Sequence, residues 1–164
     1  MKKNIIIVGT GGVAKEVLFL IREINKVKPQ WDPIGLIDQN PEKVGNKFCD
    51  IKIIGTDDYI LNYLEEINIV IAIGNPSLRK KVFELYRDNK FLNFPNLIHP
   101  NVVGDWENID IGIANIICPG TVFTTSLEIG NCNYFNMTCT IGHDVKMGSY
   151  NVLNPMVSLS GGAN

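Results

Sequence analysis

The sequence predicts a two-part fold, a small α/β unit with a parallel sheet followed by a parallel β-helix. Three observations carry that prediction. Through residue 98, short apolar runs alternate with stretches of helical apolar spacing. A glycine-rich turn, Gly9-Thr10-Gly11-Gly12, joins the first run to the first helical stretch. Beyond Pro100 the helical spacing stops and large apolar residues return at every sixth position.

Residues 4–8 form a short strand buried on both faces. Val13, Val17, Leu18, Leu20 and Ile21 make a helical stripe over residues 13–24. Residues 34–37 form a second strand, which ends at Asp38. Residues 59–64 read as a short helix introduced by Asp57 and Asp58, both good capping types. The near-continuous apolar run at 67–73 is a third covered strand. Ser77 can then cap a helix through Tyr86, with Val82, Leu85 and Tyr86 on one face. The order is βαβαβα, which gives a small parallel sheet flanked by helices over residues 1–100.

Over residues 101–164, Ile111, Ile117, Phe123, Ile129, Phe135, Ile141, Met147, Leu153 and Leu159 stand six apart without a miss. With 45% hydrophobic residues, nine hits in one frame arise by chance about once in a thousand. A period of six fits neither a lone helix nor a lone strand. It suits a triangular parallel β-helix, with one short strand per face and three hexads per coil. Nine hexads make about three coils. The large side chain points into the prism. Residues two before it, such as Thr121, Asn133, Cys139 and Val145, are small, polar or β-branched. Gly112, Gly130, Gly142 and Gly148 follow the apolar position and are expected at corners with positive φ.

The 164 residues carry 15 Lys+Arg against 17 Asp+Glu, a formal charge of −2. That balance leaves no basic footprint for nucleic acid. Charged residues are 20%, ordinary for a globular chain and unlike a disordered one. The longest apolar runs are four or five residues, against about 20 for a membrane helix. The N-terminal run is also too short for a signal segment, so a cytoplasmic protein without a membrane span is expected. Cys49, Cys118, Cys132 and Cys139 show no C-x-x-C spacing, and the histidines are His99 and His143 alone, so no metal site is expected. In a reducing compartment the cysteines serve as small apolar fillers.

Gly9-Thr10-Gly11-Gly12-Val13-Ala14 fits G-x-G-x-x-A between a strand and a helix. Gly9, Gly11 and Gly12 would let backbone N–H groups approach a phosphate, and the helix N-terminus adds positive potential. The ligand could be a nucleotide sugar or a dinucleotide such as NAD, or the segment could be a turn with no ligand. About 100 residues of α/β pattern provide one mononucleotide-binding half rather than two. Asp38 can accept from a ribose hydroxyl or a base N–H, or can form the turn into Gln39-Asn40-Pro41. Gly74 and Asn75 end the third strand beside the same crevice. Arg79 could reach a phosphate, although an exposed helix arginine is the commoner case.

The two halves together resemble one family, the sialic acid O-acetyltransferase and UDP-4-amino-sugar N-acetyltransferase group (NeuD/PglD-like hexapeptide-repeat acyltransferases). The resemblance rests on Ile6-Ile7-Val8-Gly9-Thr10-Gly11-Gly12, Gly35-Leu36-Ile37-Asp38-Gln39-Asn40-Pro41, Ile73-Gly74-Asn75, and Leu97-Ile98-His99-Pro100 running into the hexads. Its most specific stretch is residues 136–144, with Pro155 and Gly161 downstream. It implies a Rossmann-like domain that binds the nucleotide-sugar acceptor, followed by a left-handed β-helix. It further implies acetyl-CoA as acyl donor, a homotrimer, and acetylation of a sugar amino or hydroxyl group in surface-glycan biosynthesis.

On that resemblance His143 is the general base, a task to which imidazole is suited near neutral pH. Asp144 orients the ring, and Asn136 hydrogen-bonds the sugar or belongs to an inward asparagine ladder. Gly161, one 18-residue coil after His143, offers its N–H to the thioester or simply turns a corner. His99 reads as a structural connector residue held extended by Pro100. Two positions depart from the family pattern: Gly142 stands where an acidic residue is often found, and Val152 where many members have a second histidine. Relatives continue for several more coils that build much of the coenzyme A site, so the β-helix is expected to be truncated at Asn164. An inactive nucleotide-binding scaffold and an NAD-dependent enzyme remain alternative readings.

Overall fold

Six strands and three helices alternate through the first unit of the computed structural model, which describes residues 1–164. The elements are β1 (Lys3–Val8), α1 (Gly12–Val27), β2 (Trp31–Ile37), a 3-10 turn (Pro41–Lys43), β3 (Lys47–Phe48), β4 (Ile51–Gly55), α2 (Asp57–Leu61), β5 (Ile67–Ile71), α3 (Pro76–Tyr86) and β6 (Leu92–Asn93). The sheet order is β3-β4-β2-β1-β5-β6. Every pairing is parallel except the β3–β4 hairpin. Ile5, Ile6 and Ile7 of β1 are fully buried, because helices cover both faces of a central parallel strand. Helix α1 buries Ala14, Val17, Leu18, Leu20, Ile21 and Ile24, the stripe expected of an amphipathic helix.

The sequence pattern missed the β3–β4 hairpin and β6, which are short and carry charged or polar residues such as Lys47, Lys52 and Asn93. It also misplaced two caps. Helix α2 starts at Asp57 with Thr56 as N-cap, so the two aspartates lie in its first turn. Helix α3 starts at Pro76 rather than after Ser77, because Asn75 Oδ1 accepts from the Leu78 N–H at 2.9 Å and proline suits the first helical position.

The second unit spans Asn96–Asn164, the first Met1–Pro95. Its strands are β7 (Leu97–Ile98), β8 (Val103–Gly104), β9 (Ile109–Ile111), β10 (Ile116–Ile117), β11 (Val122–Phe123), β12 (Leu127–Ile129), β13 (Tyr134–Phe135), β14 (Thr140–Ile141), β15 (Lys146–Met147), β16 (Val152–Leu153) and β17 (Ser158–Leu159). They stack as three parallel sheets, β7-β10-β13-β16, β8-β11-β14-β17 and β9-β12-β15. Ile116 pairs with Tyr134 and Tyr134 with Val152, so the stacking step is 18 residues. All nine hexad residues lie in one apolar cluster or pack against it. Coiling begins at Leu97, ahead of Pro100, and His99 donates its N–H to Ile117 O within the stack. This start was hidden because the step in the first coil is 19: Leu97 pairs with Ile116 and Val103 with Val122.

The corners correct one expectation. Positive φ falls at Ala114, Gly120, Ser126, Cys132, Thr138, Asp144, Tyr150, Met156 and Gly162, every sixth residue, and not at Gly112, Gly130, Gly142 or Gly148. The N–H groups of Cys132, Thr138, Asp144, Tyr150, Met156 and Gly162 each donate to the carbonyl 19 residues earlier, for example Asp144 to Thr125 at 3.2 Å. These coil-to-coil bonds hold side-chain-bearing residues in a conformation usually left to glycine. Glycine is needed instead where coils touch. A Cβ on Gly130 would lie 2.7 Å from the Gly148 carbonyl carbon. No helix is long and apolar enough to cross a membrane.

Phe135 is fully buried in the prism, with its ring 4.9 Å from that of Phe123 in an edge-to-face contact. Phe135→Ala is expected to cost about 3–5 kcal/mol, read as a lowered urea midpoint in circular dichroism. A loss below about 1 kcal/mol would show that the prism is loosely packed.

Candidate functional site

Two sets of predicted residues come together, one in each unit. In the first, the sheet order reverses at β1, which has β2 on one side and β5 on the other. Ligands of open α/β sheets lie at such a reversal, outside the C-terminal strand ends. A crevice of about 350 Å³ occupies that place. Gly9, Gly11, Gly12, Asp38 and Gly74 line it. Gly9 has φ of +115°, and a Cβ there would sit 2.7 Å from Ala72 O, so no other residue fits this crossing. Gly11 is the N-cap of α1, with no side-chain cap and no acidic residue in the first turn. The N–H groups of Gly12 and Val13 therefore face the crevice without an acceptor in the chain. Sixteen residues of α1 add their dipole behind them.

Asp38 takes the turn-forming role weighed for it and also lines the crevice. Its Oδ1 accepts from the Asn40 N–H at 2.9 Å and shapes the turn. Its Oδ2 accepts from the Thr10 hydroxyl and from Lys43 Nζ, the latter at 2.8 Å. Burial pushes the Asp38 pKa up, but the hydrogen bonds from Lys43, Thr10 and Asn40 and the Lys43 charge together outweigh it. The carboxyl therefore titrates below its usual range. Lys43 was missed in the sequence. The 3-10 turn at Pro41–Lys43, capped by Asn40, folds it back over Asp38.

Asn75 does not line the crevice; its side chain caps α3. Arg79 departs from both readings of it. It is fully buried and donates from Nη1 to Ile71 O at 2.7 Å and Ile73 O at 3.1 Å, satisfying carbonyls at the end of β5. Asp57, also missed, reaches the crevice and accepts from the buried Tyr86 hydroxyl.

The second set lies on the β-helix. His143 directly follows Gly142 at the end of β14, and Asp144 takes the corner position with φ of 60°. That conformation turns Asp144 Oδ2 to 2.8 Å from His143 Nδ1. The next coil passes alongside: Gly162 N–H donates to His143 O at 2.8 Å, and a Cβ on Gly161 would lie 2.6 Å from His143 Nε2. Gly161 N–H has no acceptor in the chain. The side chains of His143 and Asp144 are 67% and 65% exposed. Asn136 stays local, with Oδ1 accepting from the Met137 N–H; the inward ladder is made by Asn115, Asn133 and Asn151 instead. His99 Nδ1 accepts from the Asn101 N–H, but the residue lies within the first coil rather than in a connector between the units. No group of three His, Cys, Asp or Glu side chains is placed to hold a metal ion, and all four cysteines are free.

A carboxyl with a lowered folded pKa stabilises the fold above its unfolded value of about 3.9, and that stabilisation fades as pH falls through the lower folded value. The melting temperature of the chain should therefore exceed that of Asp38→Asn by a steady margin between about pH 8 and pH 5, and the margin should close below about pH 4. A margin that widens on acidification would contradict the Lys43–Asp38–Thr10 arrangement.

Residues 4–86 match the family described as PglD N-terminal domain. No curated protein matches the chain. Among solved structures, a histidine-to-asparagine mutant of perosamine N-acetyltransferase from Caulobacter crescentus, in complex with CoA and GDP-perosamine, superposes with a TM-score of 0.82 at 23% identity over 97% of this chain and 72% of that one. WeeI from Acinetobacter baumannii AYE gives 0.78 at 23% identity over 97% and 73%. The acetyltransferase domain of PglB from Neisseria gonorrhoeae FA1090, in complex with acetyl coenzyme A, gives 0.57 at 17% identity over 99% and 87%. These likenesses establish the fold, a small Rossmann-like α/β domain followed by a left-handed parallel β-helix. The family match takes in half of the sequence, and the chain belongs to the PglD N-terminal domain family.

Proposed function

We propose that this chain is an acetyl-CoA-dependent sugar acetyltransferase whose acceptor is a nucleotide sugar, acting in surface-glycan biosynthesis as a homotrimer. The family membership and the named activities of structures sharing the fold support the reaction class. The observation that carries the mechanism is the His143–Asp144–Gly161 arrangement.

An amine or hydroxyl must lose a proton as it attacks a thioester. With Nδ1–H donated to Asp144, the lone pair of His143 lies on Nε2, the atom that would take that proton. The N-acetyltransferases among the structural neighbours favour an amine as the acceptor group. Acetyl-CoA supplies the acetyl group as a thioester. Gly161 packs against the imidazole, and its unpartnered N–H would serve as a donor to the thioester oxygen as charge develops. A hydrogen-bonded pair on the exposed surface contributes little to stability. A His–Asp pair kept at a rigid corner with both side chains two-thirds exposed therefore has its use in chemistry rather than in holding the fold. The crevice of the α/β unit would take the nucleotide, with phosphates at the Gly12 and Val13 N–H groups.

His143→Ala is expected to lower acetyl transfer to a nucleotide amino sugar by about 10²–10⁴-fold with an unchanged melting temperature. Gly161→Ala should also depress transfer, since its methyl would displace the imidazole. Full activity in His143→Ala overturns the mechanism.

A further inference from the structure

The two sides of the His143–Asp144 corner differ along the prism. On the following coil Gly161 packs against the imidazole. On the preceding coils a cavity of about 360 Å³ opens beside Asp144. Its walls are two columns of the 18-residue step. Asp144, Ser126 and Asn108 stand in one, and Lys146, Glu128 and Asp110, paired strand to strand, in the other. Two steps of such a stack span roughly 10 Å. The cavity therefore runs from the His143 corner toward the first coil and not toward Gly161.

The walls offer polar groups that the fold leaves unused. Asp144 Oδ2 is taken by His143 Nδ1, and Oδ1 is left over. The Ser126 hydroxyl and the Asp110 carboxylate have no partner in the chain. Asp110 lies between Ile109 and Ile111, which face the prism, so its side chain points outward. Lys146 Nζ is bound to Glu128 Oε1 at 2.6 Å. The far end is tied down. Asn108 Nδ2 donates to Asp105 Oδ2 at 2.9 Å, and Thr125 Oγ1 donates to the same oxygen at 2.6 Å. Thr125 is one step before His143, so this floor is fixed to the coil beneath the imidazole. An aliphatic chain finds little apolar wall here. A sugar ring, whose hydroxyls both donate and accept, can engage the carboxylates and the serine.

We infer that this cavity holds the sugar ring of the acceptor, with Ser126 and Asp110 as residues that orient it at His143. A nucleophile attacks one face of a planar thioester, so acceptor and donor approach the base from different directions. With the thioester oxygen at the Gly161 N–H, the donor occupies the following coil. The preceding coils are then left for the acceptor, and the cavity lies there. This placement rests on the proposed acetyltransferase reading and adds to it the side on which each substrate sits.

Steady-state acetyl transfer from acetyl-CoA to GDP-perosamine and to a UDP-4-amino sugar, by the full chain and two variants, tests it. Ser126→Tyr puts a ring into the cavity at a corner conformation that Tyr150 already adopts, with φ of 69°. Its acceptor KM should rise at least about tenfold, the scale of one lost hydrogen bond to a charged group, while the acetyl-CoA KM stays within about twofold. Asp110→Ala should raise the acceptor KM about three- to tenfold with the same asymmetry. An acceptor KM that rises no more than the acetyl-CoA KM overturns the placement and leaves the acetyltransferase reading standing. No transfer to either acceptor by the unsubstituted chain overturns both. Asp110 is an exposed strand residue, so its variant decides the matter even if Ser126→Tyr fails to fold.

Discussion

The 18-residue stacking step is the constraint on which the β-helix depends. Its strands are two or three residues long, so no coil can hold its own shape. Each is held by the hydrogen bonds it makes to the coils on either side. The step turns a linear sequence into columns. Asn115, Asn133 and Asn151 form one, with each Oδ1 accepting the backbone N–H of the next at 2.8 Å. Gly112, Gly130 and Gly148 form another, where no side chain would fit between most neighbours. His143 and Gly161 form a third. The imidazole and Gly161 are neighbours because they are one step apart.

The α/β unit is organised by a different constraint, the reversal of strand order at β1. The reversal leaves the strand ends without a helix directly above them. Gly9 then lets β1 turn against Ala72 while α1 begins with exposed N–H groups. The end of β5 carries carbonyls that would be left unpaired, and Arg79 fills that need from α3. A buried arginine at such a point is costly unless its donors are taken, and the strand-end carbonyls take them.

Much of this was legible in the sequence because the signals were periodic. Apolar residues six apart reveal the prism, since only the inward position must be large and apolar throughout. The corners were not legible. Cys132, Thr138, Tyr150 and Met156 share no side-chain chemistry, because what these corners have in common is a backbone N–H bonded to the carbonyl 19 residues back. The first coil escaped the pattern for a related reason: one extra residue shifts its frame, and backbone pairing absorbs it. In the crevice, Gly9, Gly11, Gly12, Asp38 and Gly74 were readable because strand ends in α/β folds have a known use. Lys43 and Asp57 were not, since a 3-10 turn and a β-hairpin that leave weak patterns bring them in. Arg79 was misjudged because one buried charge at helical spacing looks the same as an exposed one until the strand beneath it is placed.

The corner geometry also explains how a histidine followed by an aspartate comes to form one hydrogen-bonded pair. Side chains of successive residues in an extended chain point to opposite faces. Asp144 instead has φ of 60°, which swings its carboxylate back to His143 Nδ1. Asparagine and aspartate tolerate this conformation better than most residues. The bond from Asp144 N–H to Thr125 O pins the corner to the preceding coil, and Gly162 N–H pins His143 O to the following one. The ring is therefore oriented by backbone that the coils on both sides bond to, as well as by its exposed hydrogen bond to Asp144. That is the arrangement the proposed general base would need: an exposed ring on a backbone hydrogen-bonded to the coils on both sides.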